Sequence, residues 1–85
     1  MEINEIKEVL SEENPDALFA DGFDEALIGI SRRCGQPSLA VYSIKKCIEI
    51  LDEEMDYNEA VEYFEFNVLN AWHGDGTPIF LLDDY

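Results

Sequence analysis

Apolar residues recur with a helical period in three stretches of the chain. From residue 2 to residue 13 they form one stripe at i, i+3, i+6 and i+7, and glutamates occupy the other side. The same period predicts a second helix from Ser43, which can act as its N-cap, to about Glu54, and a third that begins at Asp56. Asn14-Pro15 ends the first helix, because a residue before proline is pushed out of the helical region.

The third predicted helix carries two different faces. Glu59 follows Asp56 by three residues, as in a capping box, and the glycines on either side of Asp75 end the helix. The face expected in the core consists of Tyr57, Ala60, Val61, Phe64, Val68, Ala71 and Trp72. The opposite side consists of Glu59, Glu62, Tyr63, Phe66 and Asn70, with Glu65 beside it.

Two short stretches predict strands. Glu25 to Arg33 and Ser38 to Tyr42 flank the turn residues Cys34-Gly35-Gln36-Pro37, which indicates an antiparallel hairpin. Gly29 inside the first strand predicts a bulge or the close approach of a neighbouring element. The side chains expected on the inner face of the hairpin are Ile28, Ile30, Leu39 and Val41.

A third strand is predicted at Ile79 to Leu82, after Thr77-Pro78, and Asp83 to Tyr85 are expected to be a frayed end. The chain is therefore predicted to be one α+β domain over residues 1–85, with a short antiparallel sheet of about three strands and three helices in the order α-β-β-α-α-β. We expect the helices to pack mainly on one face of the sheet.

The charge is very unevenly distributed. The chain has 20 acidic and 5 basic residues, a net charge of −15. The acids lie in three blocks, residues 2–25, 49–65 and 75–84, whereas none occurs from Ala26 to Ile48. The blocks could merge into one negative face with a small basic spot elsewhere, or the acids could simply solvate every exposed surface. This charge argues against binding nucleic acid phosphates or an anionic membrane directly, and it permits a basic protein partner.

Tyr63 and Phe66 allow two interpretations. If the third helix is covered on two sides, both rings belong to the core. Otherwise they form an exposed aromatic patch, ringed by acids, that suits the Arg or Lys side chains of a partner protein. The candidate partner-binding residues are Asp52, Glu53, Glu54, Glu59, Glu62, Tyr63, Glu65 and Phe66.

Catalytic and metal-binding patterns are weak. His73 and Asp75 stand two residues apart on a turn, but no motif singles out a nucleophile among the candidates Ser31, Ser38, Ser43, Cys34 and Cys47. Two groups of neighbouring acids lack the spacing of a calcium loop: Glu53-Glu54 with Asp56, and Asp21 with Asp24-Glu25. The sequence therefore predicts no catalytic residue, no metal ligand and no cofactor.

The hydropathy and the N-terminal residues predict a location in a cytosol, and two cysteines are too few for a disulfide scaffold. Cys34 and Cys47 are expected to be free thiols, with Cys47 in the core, although a bridge between them is an alternative. No apolar run approaches the ~18–20 residues of a membrane span, and MEINEIKEVL lacks the features of a signal peptide.

Several segments of the chain suggest a family. They are FDEALIG (Phe23 to Gly29), KCIEIL (Lys46 to Leu51), and EAVEYFEFNV followed by AWHGDGTPIF (Glu59 to Phe80). Together they resemble small tailed-bacteriophage proteins without an assigned activity, over roughly residues 22–80. The most specific part is YFEFNV and GTPIF at fixed spacing. The resemblance implies a phage origin and action in a bacterial host cytoplasm, and it implies no catalytic residue.

These observations favour a small non-enzymatic phage protein that binds a host or phage protein. A sharper version is a DNA mimic, in which carboxylates imitate phosphates and occupy the basic groove of a nuclease or other defence protein. One alternative is a small hydrolase or metal-dependent enzyme around His73 and Asp75. Another is an accessory protein that forms a homo-oligomer through Tyr63, Phe66 and Trp72, so a monomer and a small oligomer both remain open.

Overall fold

The computed structural model describes residues 2–83 of the chain. The helices are α1 (Ile3–Glu13), α2 (Ile44–Asp52) and α3 (Tyr57–Phe64), and the strands are β1 (Leu27–Arg33), β2 (Gln36–Ser43) and β3 (Ile79–Leu81). One 3-10 turn (Asp24–Ala26) precedes β1, and a π-helical turn (Glu65–Leu69), called the π-turn below, extends α3. The α+β class and the order α-β-β-α-α-β are confirmed.

Side-chain caps begin two of the helices as predicted. The Ser43 Oγ accepts a hydrogen bond from the Lys46 amide at the start of α2, at 3.2 Å. The Asp56 carboxylate accepts one from the Glu59 amide at the start of α3, at 3.0 Å. Ser43 is also the last residue of β2, so this strand passes into α2 without a loop.

The sheet is mixed, with β2 in the centre. β1 pairs with β2 antiparallel, as the hairpin pattern predicts, whereas β3 pairs with β2 parallel. The expected wholly antiparallel sheet is therefore corrected at β3. The physical reason is the connection: α2 and α3 lie between β2 and β3 and return the chain to the end where β2 began, as in a crossover between parallel strands.

A bulge decides which side chains of the hairpin face the core. Leu27 pairs with Tyr42 and Ile30 with Ala40, so the register shifts by one residue between Leu27 and Gly29. The extra residue is Ile28, whose side chain is 37% exposed. The prediction of a bulge at this point is confirmed, and nothing lies within 4 Å of a Cβ built on Gly29.

The expected inner face was therefore wrong in part. The observed inner face carries Leu27, Ile30, Ala40 and Tyr42. Leu39, Val41 and Ile28 do not belong to the core, because the alternation along β2 begins one residue away from the predicted phase. Leu39 and Val41 instead lie, half-buried, on the outer face of the sheet, together with the exposed Ile79 and Leu81 of β3.

All three helices contribute to one cluster of buried side chains on the inner face. Its members are Ile6, Leu10, Phe23, Ala26, Leu27, Ala40, Tyr42, Cys47, Leu51, Ala60 and Phe64. Phe80 of β3 packs against it, with ring centroids 5.8 Å from Tyr42 and 5.4 Å from Phe64. The Tyr42 hydroxyl accepts a hydrogen bond from the Ala20 amide at 2.9 Å, which ties the loop after α1 to the sheet. Burial raises the pKa of Tyr42.

Two predictions near the carboxyl end need correction. Trp72 was expected in the core, but the helical segment ends at Leu69 and the Trp72 side chain is 72% exposed. Asp83 was expected to fray, but its carboxylate accepts a hydrogen bond from the buried Ser43 Oγ at 2.9 Å. Asp84 and Tyr85, the rest of that predicted frayed end, lie outside the described residues.

Candidate functional site

The third helix separates its two faces as the sequence pattern predicts. Ala60 and Phe64 are buried, and Val61 and Val68 are half-buried on the same side. Tyr57 lies on the first turn and is exposed, contrary to its expected place in the core. Phe64 meets Phe80 edge to face, so the helix is anchored on the sheet by one aromatic pair.

The helix does not stop after Phe64 but widens into the π-turn. Such a turn spaces its hydrogen bonds one residue further apart than an α-helix does, and it often marks a functional site. Side-chain amides bond two of the local carbonyl groups: Asn67 Nδ2 donates to the Tyr63 carbonyl at 3.2 Å, and Asn70 Nδ2 donates to the Glu65 carbonyl at 2.7 Å. The segment that carries Phe66 is thus held by bonds of its own.

Tyr63 and Phe66 are exposed, and the interpretation that placed both rings in the core is wrong. The exposed fraction is 46% for Tyr63 and 75% for Phe66. The core interpretation required α1 to cover α3 on its second side, but α1 packs against β1 and β2 instead, and α2 is the helix that packs against α3. The outer side of α3 is left open as a result.

Carboxylates surround these rings. Glu59, Glu62 and Glu65 are all exposed. Within α3, Glu59 precedes Tyr63 by four residues, so this ring has a carboxylate neighbour on the same face. Glu65 directly precedes Phe66 on the π-turn. We call Glu59, Glu62, Tyr63, Glu65 and Phe66 the aromatic–acidic patch.

Asp52, Glu53 and Glu54 lie at a distance from the rings. They end α2 and begin the turn to α3, and all three are exposed. Asp52 lines a cavity of about 240 Å³ together with Tyr57, at the first turn of α3. At a rise of ~1.5 Å per residue, Phe66 lies more than two helical turns further along the axis. The candidate residues therefore form two groups, one at the end of α2 and the turn before α3, and the other along α3 and the π-turn.

The acidic blocks meet in part. Glu25 from the first block lines a cavity of about 290 Å³ with Glu49 and Glu53 from the second, and Lys46 stands among them. Asp75 from the third block lies elsewhere, in a cavity shared with Arg33, Trp72 and the outer face of the sheet. The first two acidic blocks therefore adjoin beside α2. Asp75 of the third block lies in a separate cavity that Arg33 also lines.

The basic residues of the acid-free segment have acidic neighbours. Arg32 forms a two-pronged ion pair with Glu13 at the end of α1, in which Nε donates at 2.8 Å, and Ser38 Oγ donates to the same carboxylate at 2.8 Å. The hydrogen bonds from Arg32 and Ser38 lower the pKa of Glu13 to about 2. A glutamate at the carboxyl end of a helix opposes the helix dipole, and here a cation compensates it.

His73 and Asp75 face different cavities. His73 lines a cavity of about 370 Å³ between the loop after α1 and the π-turn, whereas Asp75 lines the cavity beside Trp72. Among the described residues that line the His73 cavity, none is a serine or a cysteine. The side chain of Ser43 is buried between the α2 cap and Asp83. The structure therefore brings no candidate nucleophile to the candidate base.

The cysteines are both free, as predicted, with Cys34 exposed in the hairpin turn and Cys47 buried. Burial, followed by the nearby Asp83 carboxylate, raises the pKa of the Cys47 thiol to about 12. Such a thiol is inert near neutral pH. Within residues 2–83, no three His, Cys, Asp or Glu side chains are grouped closely enough to hold a metal ion.

Sequence reasoning missed the His73 cavity, because its walls come from two distant parts of the chain. The first part supplies Leu18 to Asp21 and Phe23, and the second supplies Asn67, Val68, Ala71, His73, Thr77, Pro78 and Phe80. The only local signal was the pair of turns, Asp21-Gly22 and Gly74-Asp75-Gly76. Turn residues do not reveal which other turn they will meet.

No protein-family model, curated protein or solved structure matches this chain. In the part of the chain that the structure describes, no helix combines the length and apolar character needed to cross a bilayer. The geometry of the surface is therefore the basis for any functional conclusion.

Proposed function

We propose that this protein is a non-enzymatic binding module that engages a basic protein through the aromatic–acidic patch. The observation that supports this most is the exposure of Phe66, 75% of whose surface is open although it stands among glutamates on a well-anchored helix. Aromatic side chains that become buried at a protein interface typically contribute a large share of the binding free energy. Burying one phenylalanine would contribute about 1.5–3 kcal/mol.

The chemistry of the patch selects a cationic partner. A guanidinium or ammonium group can lie over the face of Tyr63 or Phe66 and at the same time meet Glu59, Glu62 or Glu65. The net charge of −15 would speed the encounter with a basic surface and repel an acidic one. Asp52, Glu53 and Glu54 contribute to the same field from the end of α2 and the turn before α3.

The resemblance to tailed-bacteriophage proteins supports a partner in the cytoplasm of a bacterial host. That partner is either a host protein or another phage protein. A DNA mimic is the sharper form of this proposal. The exposed carboxylates at the end of α2 and along α3 favour it, because a nuclease or other defence protein binds phosphates in a basic groove.

The first experiment is capture of a partner from bacterial lysate, followed by titration with the purified partner. We expect the double variant Tyr63→Ser/Phe66→Ser to bind at least about tenfold more weakly, the equivalent of ~1.4 kcal/mol. Trp72→Ser is the matched control, because Trp72 is similarly exposed, at 72%, but lies beside the outer face of the sheet. Equal loss in both variants, or no loss in the double variant, would contradict the proposal.

A charge series tests the electrostatic part. The triple variant Glu59→Gln/Glu62→Gln/Glu65→Gln removes three carboxylates of the patch, and Glu5→Gln/Glu8→Gln/Glu12→Gln removes three exposed ones from α1. The first set should weaken binding more than the second, although both change the net charge equally.

The DNA-mimic form makes two further demands. Duplex DNA should compete with the protein for its partner, and the affinity should fall steeply as salt rises. A partner that binds equally well at high salt would exclude the mimic and leave the aromatic patch as the main contact. Light scattering on the protein alone separates partner binding from self-association.

A further inference from the structure

The His73 cavity, called the loop cavity below, is a feature that the proposed function does not use. Its volume is about 370 Å³, which lies within the ~300–1,000 Å³ range of ligand sites. The lining is mostly apolar and includes Phe19, Phe23, Val68 and Phe80. Four polar side chains complete it: Asp21, Asn67, His73 and Thr77.

Hydrogen bonds hold each wall of the loop cavity in place. The Leu18 amide donates to the Gly76 carbonyl at 3.0 Å, so the loop after α1 is joined to the turn before β3. The Ala20 amide donates to the Tyr42 hydroxyl. The Thr77 hydroxyl donates to the Gly74 carbonyl at 2.7 Å and accepts from the His73 amide at 2.9 Å. A cavity with fixed walls binds without first having to be ordered.

Asn67 links the loop cavity to the aromatic–acidic patch. Asn67 lines the cavity and also donates its side-chain amide to the carbonyl of Tyr63, a patch residue. Phe66 immediately precedes Asn67 on the π-turn, pointing to solvent while Val68 lines the cavity. The π-turn therefore carries residues of both surfaces.

Charge decides what kind of group would enter. The ionisable side chains that line the loop cavity are Asp21 and His73. Asp21 supplies a carboxylate at a mostly apolar site, and the aromatic–acidic patch, which Asn67 links to the cavity, supplies three more. An anionic ligand would meet repulsion from these groups and from the net charge of −15. A cation without an apolar part would make no apolar contact with the aromatic side chains that line the cavity.

We infer that the loop cavity receives an apolar side chain of the basic partner, flanked by arginine or lysine residues that meet Asp21 and the aromatic–acidic patch. This assignment depends on the protein-binding function proposed above, and it adds the recognition motif: one bulky aliphatic or aromatic residue next to basic residues. The anchor fills the cavity, and the flanking cations remain near the carboxylates.

The test uses three short peptides and the amide resonances of the full chain. The probes are Ac-Arg-Arg-Leu-Arg-NH2, the same peptide with Gly in place of Leu, and Ac-Glu-Glu-Leu-Glu-NH2. We expect the first to shift the amides of Leu18, Asp21, Asn67 and Thr77, and to bind at least tenfold more tightly than the other two. Equal binding of the Gly peptide would mean attraction by charge alone and would overturn the inference, as would an absence of shifts at the cavity.

One matched pair of variants and one cavity-filling variant localise the binding. Asp21→Asn should weaken the Leu peptide several-fold, whereas Asp75→Asn, which removes a carboxylate from the other side of the turn, should not. Ala71→Leu should fill part of the cavity and compete with the anchor. If Asp21→Asn and Asp75→Asn weaken the peptide equally, the cavity is not its site. The asparagine variants keep the test valid if Ala71→Leu fails to fold.

The inference and the proposed function can fail separately. If the Leu peptide shifts only Tyr63 and Phe66, the patch binds and the loop cavity does not. If it shifts the cavity amides while the Tyr63→Ser/Phe66→Ser variant still captures the natural partner with full affinity, the cavity binds and the patch does not.

Discussion

Gly76 lies against the backbone of the loop that follows α1. A Cβ at this position would stand 2.4 Å from the carbonyl oxygen of Asp16, which is closer than real Cβ atoms come to anything. The oxygen belongs to the backbone and cannot rotate away as a side chain would. Gly76 also helps to hold one wall of the loop cavity, because its carbonyl accepts a hydrogen bond from the Leu18 amide.

We therefore expect Gly76→Ala to destabilise the fold by about 1–3 kcal/mol, the usual cost of forcing extra volume into a packed site. Gly29→Ala is the matched control, since nothing lies within 4 Å of its Cβ and its backbone conformation is an ordinary one. That change should stabilise the protein by ~0.5–1 kcal/mol, because glycine loses more backbone entropy than alanine. Urea unfolding of both variants measures the difference, and equal effects would contradict it.

At the scale of elements, the end of α1 is fastened to the hairpin through Glu13. Its carboxylate accepts from Arg32 on β1 and from Ser38 on β2. This tie joins the first helix to both antiparallel strands at the end of the sheet far from Tyr42. Because the carboxylate is stabilised in the folded state, its pKa lies at about 2 instead of the ordinary 4.5.

The lowered pKa of Glu13 gives a definite pH dependence. A carboxyl group with a depressed folded-state pKa stabilises the fold fully above its unfolded pKa, and that stability is lost as the pH falls through the folded pKa. The difference in unfolding free energy between the wild type and Glu13→Gln should therefore be constant above about pH 5.5. It should shrink steadily between the ordinary pKa of 4.5 and about 2.

The neighbouring Glu12 provides the control for that measurement. It is exposed at the same end of α1, where a negative charge opposes the helix dipole. Glu12→Gln should be neutral or slightly stabilising. Urea titrations at several pH values would separate the two residues, and a Glu13→Gln effect that does not change with pH would show that the tie is not ionic.

At the scale of the whole molecule, self-repulsion is the dominant electrostatic effect. The net charge of −15 is carried on a body of 38 × 25 × 24 Å. At 0.01 M ionic strength the Debye length is ~30 Å, so nearly all charges interact with one another; at 0.15 M it is ~8 Å, so only neighbours do. The two ion pairs found among residues 2–83, Lys7–Asp24 and Arg32–Glu13, cannot offset this repulsion.

We expect sodium chloride to raise the melting temperature between 0.01 and 0.3 M. A gain of ~1 kcal/mol would correspond to roughly 4–8 °C for a domain of this size. Potassium chloride should act equally, because screening does not depend on the cation. A falling melting temperature would show that attractive pairs outweigh the repulsion, and a much larger effect of one cation would indicate a specific site.

The sequence alone determined the elements of this protein and the character of α3. Helical periodicity, the Ser43 and Asp56 caps and the turn at Gly35 are local signals, because they depend on residues only a few positions apart. The same local pattern placed Tyr63 and Phe66 on the side of α3 opposite to Ala60 and Phe64. It also located the bulge near Gly29.

Only the tertiary structure decided how those elements pack and which of their faces are buried. A one-residue bulge left Ile28 outside the core, β2 turned Ala40 and Tyr42 inward instead of Leu39 and Val41, and the crossover through α2 and α3 made β3 parallel. The packing of α1 on the sheet left the outer side of α3 open, which settled the exposure of Tyr63 and Phe66. The loop cavity likewise requires Asp21, Asn67 and His73 to meet. Such contacts join residues far apart in the chain, so no local pattern encodes them.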